Sequence, residues 1–286
     1  MHDVDPSNST SLAVSRKGFV ALSSGAAFAG ASLARAAAQS MELGKVHPPL
    51  VPEDDPAIVA AWIPKGNDLP VRTYTARPKS IATAMPGVVM SLHIWGVDTT
   101  YRDIARRLAK DGYVVAIPDL FEPLGAPSGD DATDYSVFLP YAKKLQPADV
   151  DAAFRAGAQW IHALAPAAKV AVMGYCMGGT IAWRQTLEGA AVFSAGAIWY
   201  GDPSHILPRA AEIRIPVYGS FGERDTGIPA ATVREVEAAL KVPHDIKIYP
   251  EAGHAFFDDQ RQSYVPSAAN DAWERLTNFF AKYLAA

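Results

Sequence analysis

The stretch Gly174-Tyr175-Cys176-Met177-Gly178-Gly179 separates a continuous apolar run, residues 169–173, from a helical pattern that begins at Gly179. Glycines stand two positions before and two positions after Cys176, as a sharp turn from a strand into a helix requires. A side chain at the centre of such a turn points clear of the sheet. It also lies at a helix N-terminus, where free N–H groups and the helix dipole favour a thiolate or an oxyanion. The alternative is a tight turn around a buried, inert cysteine.

Short apolar runs alternate with amphipathic stretches on both sides of this turn. The runs predict strands buried on both faces, at residues 88–92, 113–117, 169–174, 195–200, 215–221 and 245–249. The amphipathic stretches predict helices at residues 100–111, 148–164, 179–187, 230–240 and 268–283. This alternation predicts an α/β fold, a mostly parallel sheet with helices on both faces that binds ligands at the carboxyl ends of its strands. The irregular segment 121–149 follows a strand end, so we expect it to roof the site.

Two acidic residues and one histidine complete a pattern downstream of Cys176. The strand at 215–221 is followed by Glu223 and Asp225, and the strand at 245–249 is followed by His254. Nucleophile, acid and histidine in this chain order, each after a strand, are typical of the α/β-hydrolase triad, here with Cys in place of Ser. Asp225 has the better position in the turn, and Glu223 is the alternative acid.

Composition excludes several classes of protein. The chain has 286 residues, 49% of them hydrophobic, and a formal net charge of −4 without a basic run, so a nucleic-acid partner is not expected. Histidine, cysteine and acidic residues show no metal-ligand spacing, and no dinucleotide-binding glycine fingerprint is present. We therefore expect neither a metal nor a cofactor. The single cysteine cannot form an intramolecular disulfide.

Residues 1–38 are predicted to be an export signal peptide. A basic pair, Arg16-Lys17, precedes a weakly apolar run, and Ala36-x-Ala38 has the small residues of a signal-peptidase site. The segment resembles a bacterial twin-arginine signal, with lysine in place of the second arginine. It predicts an exported, periplasmic protein without a membrane span after cleavage. A soluble N-terminal helix and an uncleaved anchor are the alternatives.

Residues 39–85 are predicted to form a proline-rich, extended lead-in to a hydrolase domain at residues 86–286. Six prolines lie between Pro48 and Pro70, too many missing backbone donors for a helix or a central strand. Short edge strands are expected near residues 58–63 and 71–76.

From about Pro86 onward, the chain resembles the dienelactone hydrolase family of α/β-hydrolases with a cysteine nucleophile. The resemblance rests on the turn around Cys176, on Asp225, and on the loops Ile94-Trp95-Gly96-Val97 and Glu251-Ala252-Gly253-His254. It implies hydrolysis of a small ester or lactone through a thioacyl-enzyme. In that reaction Cys176 attacks, His254 moves the proton, Asp225 orients the imidazole, and the backbone N–H groups of Ile94 and Met177 hold the oxyanion.

Two positions depart from the family pattern. His93 stands where the family typically has a glutamate that helps to form the thiolate; it is either a modulator of the thiol or a strand-end residue without a catalytic part. After His254, where the family has an arginine for a substrate carboxylate, this chain has Asp258-Asp259, with Arg261 nearby. An acidic pair would repel a carboxylate, so a neutral, partly aromatic ester or lactone is as well supported as dienelactone.

Two other functions fit the same residues. A catalytically silent hydrolase fold could bind a small ligand or a partner, which the replacement at His93 would allow. An acyltransferase could use the same triad with an acceptor other than water. The sequence predicts no oligomeric state.

Overall fold

The computed structural model describes residues 50–285, apart from residues 67 and 133. The predicted export signal, residues 1–38, and the first part of the lead-in lie outside the described residues.

An eight-stranded sheet forms the centre of the molecule, in the order β1-β2-β4-β3-β5-β6-β7-β8. Strands β3 to β8 run parallel to one another, whereas β1 and β2 are antiparallel to their neighbours. The strands are β1 (Ile58–Ile63), β2 (Thr73–Pro78), β3 (Gly87–Met90), β4 (Val114–Pro118), β5 (Val170–Tyr175), β6 (Ala195–Trp199), β7 (Val217–Gly222) and β8 (His244–Tyr249).

Helices lie on both faces of the sheet. Those that connect parallel strands are α1 (Thr99–Lys110), α2 (Leu139–Ala142), α3 (Pro147–Leu164), α4 (Met177–Glu188) and α5 (Ala230–Ala239), and α6 (Pro266–Tyr283) follows β8. Every residue of β3 to β7 is buried, which explains why these strands are continuous apolar runs rather than alternating ones. The predicted α/β-hydrolase architecture is confirmed, with the ends of the predicted helices and strands within two residues of the observed ones. No described helix is both long and apolar enough to cross a membrane.

The second half of the lead-in belongs to the same sheet. Both strands expected there are present, but only β1 lies at the edge of the sheet. β2 lies between β1 and β4, and it pairs with β4 from Thr73 opposite Pro118 to Ala76 opposite Val115. The prolines lie outside the paired positions, except for Pro78 at the end of β2. The sheet therefore begins well before Pro86.

A buried cluster of charges attaches the first described residues to α1. Asp103, fully buried, accepts hydrogen bonds from the backbone N–H of Val51 at 2.8 Å and from Nε of Arg107 at 2.8 Å. Arg106, also buried, donates to the carbonyl of Val51 and to the hydroxyl of Tyr74. The lead-in is thus held by hydrogen bonds to ionised side chains, which are roughly twice as strong as those between neutral groups.

Replacing Asp103 should test how much this cluster contributes to stability. We expect Asp103→Ala to lower the free energy of unfolding by about 3–5 kcal/mol, because it leaves the charges of buried Arg106 and partly buried Arg107 without this partner. Urea denaturation measures the change. Lys110→Ala is the control, since Lys110 pairs with Asp55 at the surface and should cost less than about 1 kcal/mol. Equal losses in the two variants would contradict this account.

Candidate active site

Cys176 occupies the one residue between β5 and α4. Its backbone has φ 55° and ψ −124°, in a region that residues with a side chain rarely adopt. The strained turn is held by a hydrogen bond from the N–H of Cys176 to the carbonyl of Trp199 on β6, at 3.0 Å. The turn therefore lifts the cysteine side chain away from the strand end, as the sequence predicts.

The glycines around Cys176 are required by close backbone contacts. A Cβ atom on Gly174 would lie 2.1 Å from the carbonyl oxygen of Gly178, and one on Gly178 would lie 2.4 Å from the carbonyl oxygen of Leu92. Both atoms are backbone oxygens, so they cannot give way as the end of a flexible side chain could. The small neighbours expected from the sequence are therefore a steric necessity.

The structure brings Cys176, His254 and Asp225 together in a hydrogen-bonded row. Nε2 of His254 lies 3.1 Å from Sγ of Cys176, and Nδ1 lies 2.7 Å from Oδ2 of Asp225. The other carboxylate oxygen of Asp225 accepts the backbone N–H groups of Gly227 and Ile228, so its orientation is set. The alternative acid, Glu223, instead forms a surface ion pair with Arg234.

Charges within this row stabilise one another. Burial raises the pKa of Asp225, but the contact with His254 and the two backbone N–H groups outweigh burial and lower it. Burial lowers the pKa of His254, but its contacts with Asp225 and Cys176 outweigh burial and raise it to about 10. These contacts favour the imidazolium over the neutral ring, and an imidazolium facing Sγ favours negative charge on the sulfur.

A cavity of about 390 Å³ opens above Cys176 and His254. Its lining is mainly apolar and aromatic, with Ile94, Trp95, Tyr135, Tyr200 and Phe257 among the side chains. Tyr135 comes from the irregular segment 121–149, which therefore contributes to the cavity wall as expected. In the described part of the chain, no three histidine, cysteine or acidic side chains gather in a way that could hold a metal ion.

Both residues predicted to bind the oxyanion lie beside the cysteine. Met177 follows Cys176 and is the first residue of α4, so its N–H has no acceptor within the helix. Ile94 lines the cavity that contains Cys176, in the loop that follows β3. Met177 is next to Cys176 in the chain and Ile94 shares its cavity, and the role of their N–H groups toward an oxyanion stays a prediction.

His93 contacts an acid that the sequence reasoning missed. Its ring is buried and lines the cavity, with Nε2 3.0 Å from Oδ2 of Asp98, although off the line of a good hydrogen bond. The ring also stacks on Tyr101 at 3.8 Å between centroids, and Tyr101 donates to the carbonyl of Tyr175, next to the cysteine. Asp98 is the N-cap of α1. Its position directly before a helical pattern was the available signal for that cap.

The acidic pair after His254 separates in the structure. Asp259 turns away from the cavity and accepts a hydrogen bond from Arg107 on α1, at 2.5 Å. Asp258 lines the cavity and accepts from Nε of Arg261 at 2.7 Å. Arg261 in turn lies over the ring of Trp95, with 4.3 Å between the guanidinium carbon and the ring centroid. Only Asp258 of the predicted pair therefore faces the cavity.

Comparison with known proteins agrees with this geometry. The profile of the dienelactone hydrolase family matches residues 71–284. The chain belongs to the dienelactone hydrolase family. The family match begins at Val71 and so includes β2, earlier than the resemblance that begins near Pro86 in the sequence.

Members of the dienelactone hydrolase family from enterobacteria are similar over most of their length. A protein of Salmonella typhimurium, provisionally named a carboxymethylenebutenolidase, is 34% identical over 233 residues, 77% of this chain and 84% of its own. A protein of Escherichia coli K12 with the same provisional name is 32% identical over 257 residues, 82% of this chain and 91% of its own. A crystal structure from Klebsiella pneumoniae, provisionally named a dienelactone hydrolase, superposes with a TM-score of 0.72 at 30% identity, covering 79% of this chain and all of its own.

The raised pKa of His254 can be tested with Asp225→Asn. The variant removes the carboxylate that favours the imidazolium, so the pKa of His254 should fall from about 10 towards the ordinary value of 6.5. His254 in the parent should keep its proton throughout the range from pH 6.5 to about pH 10, and in the variant should lose it within that range. NMR titration of the His254 ring protons measures the pKa in the parent and in the variant. An unchanged titration would contradict the proposed coupling.

His93 can be tested with two replacements. Because Asp98 lies 3.0 Å away, His93→Glu places a second carboxylate against a buried one, so we expect a loss of stability of about 3–5 kcal/mol, together with lower ester hydrolysis. His93→Gln is the control, because it keeps a polar side chain without adding negative charge. Urea denaturation and hydrolysis of phenyl acetate measure the two effects. A glutamate variant that is as stable as the glutamine variant would contradict this interpretation.

Proposed function

We propose that this protein hydrolyses small esters or lactones, with Cys176 as nucleophile, His254 as acid and base, and Asp225 as the residue that orients and stabilises the imidazolium. The observation that carries the proposal is the row from Asp225 through His254 to Sγ, with separations of 2.7 and 3.1 Å, at an apolar cavity. These distances are within the reach that proton transfer needs.

In the first half of the proposed reaction, Sγ of Cys176 attacks the carbonyl carbon, and the thiol proton resides on Nε2 of His254. The carbonyl oxygen becomes an oxyanion, which the N–H groups of Met177 and Ile94 stabilise. The C–O bond then breaks as the imidazolium gives its proton to the departing oxygen. The products of this half are an alcohol, or the open hydroxyl end of a lactone, and a thioester on Cys176.

In the second half, water attacks the thioester and His254 takes a proton from it. The same two N–H groups hold the second oxyanion. When the C–S bond breaks, the carboxylic acid leaves and the thiolate–imidazolium pair is restored, because the electron pair remains on sulfur and the proton on Nε2. Asp225 stays ionised throughout and stabilises each imidazolium.

His93 takes part in this proposal as a modulator of the site rather than as a reacting group. Asp98 and Tyr101 hold its ring, and the hydroxyl of Tyr101 holds the carbonyl of Tyr175. A substitution at His93 should therefore alter the position of Tyr101, and through its hydrogen bond to Tyr175 the position of the turn that carries Cys176.

Kinetics of triad variants test the proposal. We expect Cys176→Ala and His254→Ala each to lower kcat/KM on phenyl acetate by about 10⁴-fold or more, and the double variant to be no worse than either one, because the two residues act as a unit. Glu223→Gln, which changes only the alternative acid at the surface, should retain activity within about twofold. Full activity in Cys176→Ala on every ester tested would overturn the proposed function.

A further inference from the structure

One wall of the cavity carries an ion pair that no step of the proposed reaction uses. It consists of Asp258 and Arg261, joined by a 2.7 Å hydrogen bond from Nε to Oδ2, with the guanidinium stacked on Trp95. Asp258 is only 6% exposed. The carboxylate of Asp258 is thus buried in the cavity wall. Arg261 is held in place by two contacts, one to this carboxylate and one to the ring of Trp95.

This pair cancels the fixed charge that a substrate would meet. Among the described residues that line the cavity, Arg261 is the one arginine or lysine and Asp258 the one aspartate or glutamate. A free arginine in an apolar cavity would hold an anionic substrate group firmly. Here Nε of Arg261 donates to Asp258, one face of its guanidinium lies on Trp95, and the carboxylate of Asp258 balances its charge.

A second carboxylate behind the wall adds to this effect. Asp98 lies against His93, and electrostatic interactions link Asp98 with Arg261 and with Asp258. Burial, together with the proximity of Asp98, raises the pKa of Asp258 in spite of Arg261 and His93. Two carboxyl groups, of Asp98 and Asp258, thus lie at this end of the cavity with a single guanidinium, that of Arg261. An anionic group would approach both carboxylates, whereas an uncharged group meets no such repulsion.

We propose that the cavity selects uncharged esters or lactones with an apolar or aromatic group, and that Asp258 sets this specificity by occupying Arg261. The aromatic part of the lining, which includes Trp95, Tyr135, Tyr200 and Phe257, suits a flat apolar group. The inference that the ligands are esters or lactones rests on the proposed function. The preference for uncharged ligands rests only on the charges that line the cavity.

The test compares neutral and anionic esters of matched shape. In the first pair, phenyl butyrate is the neutral ester and the phenyl half-ester of succinic acid carries a negative charge on its acyl group. In the second pair, phenyl acetate is the neutral ester and 4-sulfonatophenyl acetate carries the charge on its alcohol group. We expect the parent to favour the neutral ester by at least about tenfold in kcat/KM on the side that faces Asp258. Asp258→Asn keeps a polar side chain beside Arg261 but frees its charge, so it should narrow that ratio by about tenfold.

Two further variants make the result specific. Asp259→Asn changes the adjacent acid, which contacts Arg107 instead of the cavity, and should leave the ratio within about twofold of the parent. Arg261→Gln leaves Asp258 uncompensated and should widen the preference for the neutral ester. Thermal melts show that each variant is folded. A parent that prefers the anionic esters, or equal changes in Asp258→Asn and Asp259→Asn, would overturn the proposal.

A binding experiment separates this proposal from the proposed function. Calorimetry on Cys176→Ala compares N-phenylbutanamide with N-phenylsuccinamic acid, two amide analogues that need no turnover. Tighter binding of the neutral amide, with a narrower gap after Asp258→Asn is added, supports the charge selection even if no ester is hydrolysed. Tighter binding of the anionic amide overturns it even if Cys176 proves to be the nucleophile.

Discussion

The strained backbone of Cys176 is the constraint on which the rest of the site depends. A positive φ at a residue with a side chain costs roughly 1–3 kcal/mol, and it persists only where the surroundings enforce it. Here a hydrogen bond to Trp199 and the close approach of Gly174 and Gly178 enforce it. The result is a sulfur at the carboxyl edge of the sheet, where the turns after β7 and β8 bring Asp225 and His254.

Strain recurs around the same cavity. Of the four residues other than glycine with positive φ in the described part of the chain, Cys176, Tyr200 and Ala255 line it. Ala255 follows His254 directly, and its carbonyl accepts the N–H of Asp258 and the hydroxyl of Ser263. The loop that carries the histidine is thus tightly folded on itself. Asp259, in the same loop, accepts a hydrogen bond from Arg107 on α1. Arg107 also donates to Asp103, which binds the backbone of the lead-in.

The sequence predicts most of the fold and the triad because their signals are local. Buried parallel strands are continuous apolar runs, and a nucleophile, an acid and a histidine that each follow a strand must meet at one edge of the sheet. Glu223 and Asp225 both follow β7, and their places in the turn favour Asp225 as the acid that reaches His254. Export by residues 1–38 stays a prediction, since those residues lie outside the described part of the chain.

The remaining features depend on contacts that the sequence does not reveal. Asp258 and Asp259 are adjacent in an irregular loop, where no periodicity tells which side chain faces the cavity. The contact between His93 and Asp98 arises because the loop after β3 folds back on itself, and the backbone N–H of Gly96 donates a hydrogen bond to the carbonyl of His93. The two short strands of the lead-in are expected from the sequence, but the place of β2 inside the sheet, between β1 and β4, depends on long-range pairing that has no local signal.

The most direct test of the central claim is to look for the acyl group on the cysteine. The full chain would be mixed with 4-nitrophenyl butyrate, quenched in acid at successive times, and digested for mass spectrometry. The account predicts a butyryl group on the peptide that contains Cys176, appearing with the first turnover and disappearing as substrate is exhausted. Continued release of nitrophenol while the acyl group is found on another residue, with Cys176 unmodified at every time, would contradict it.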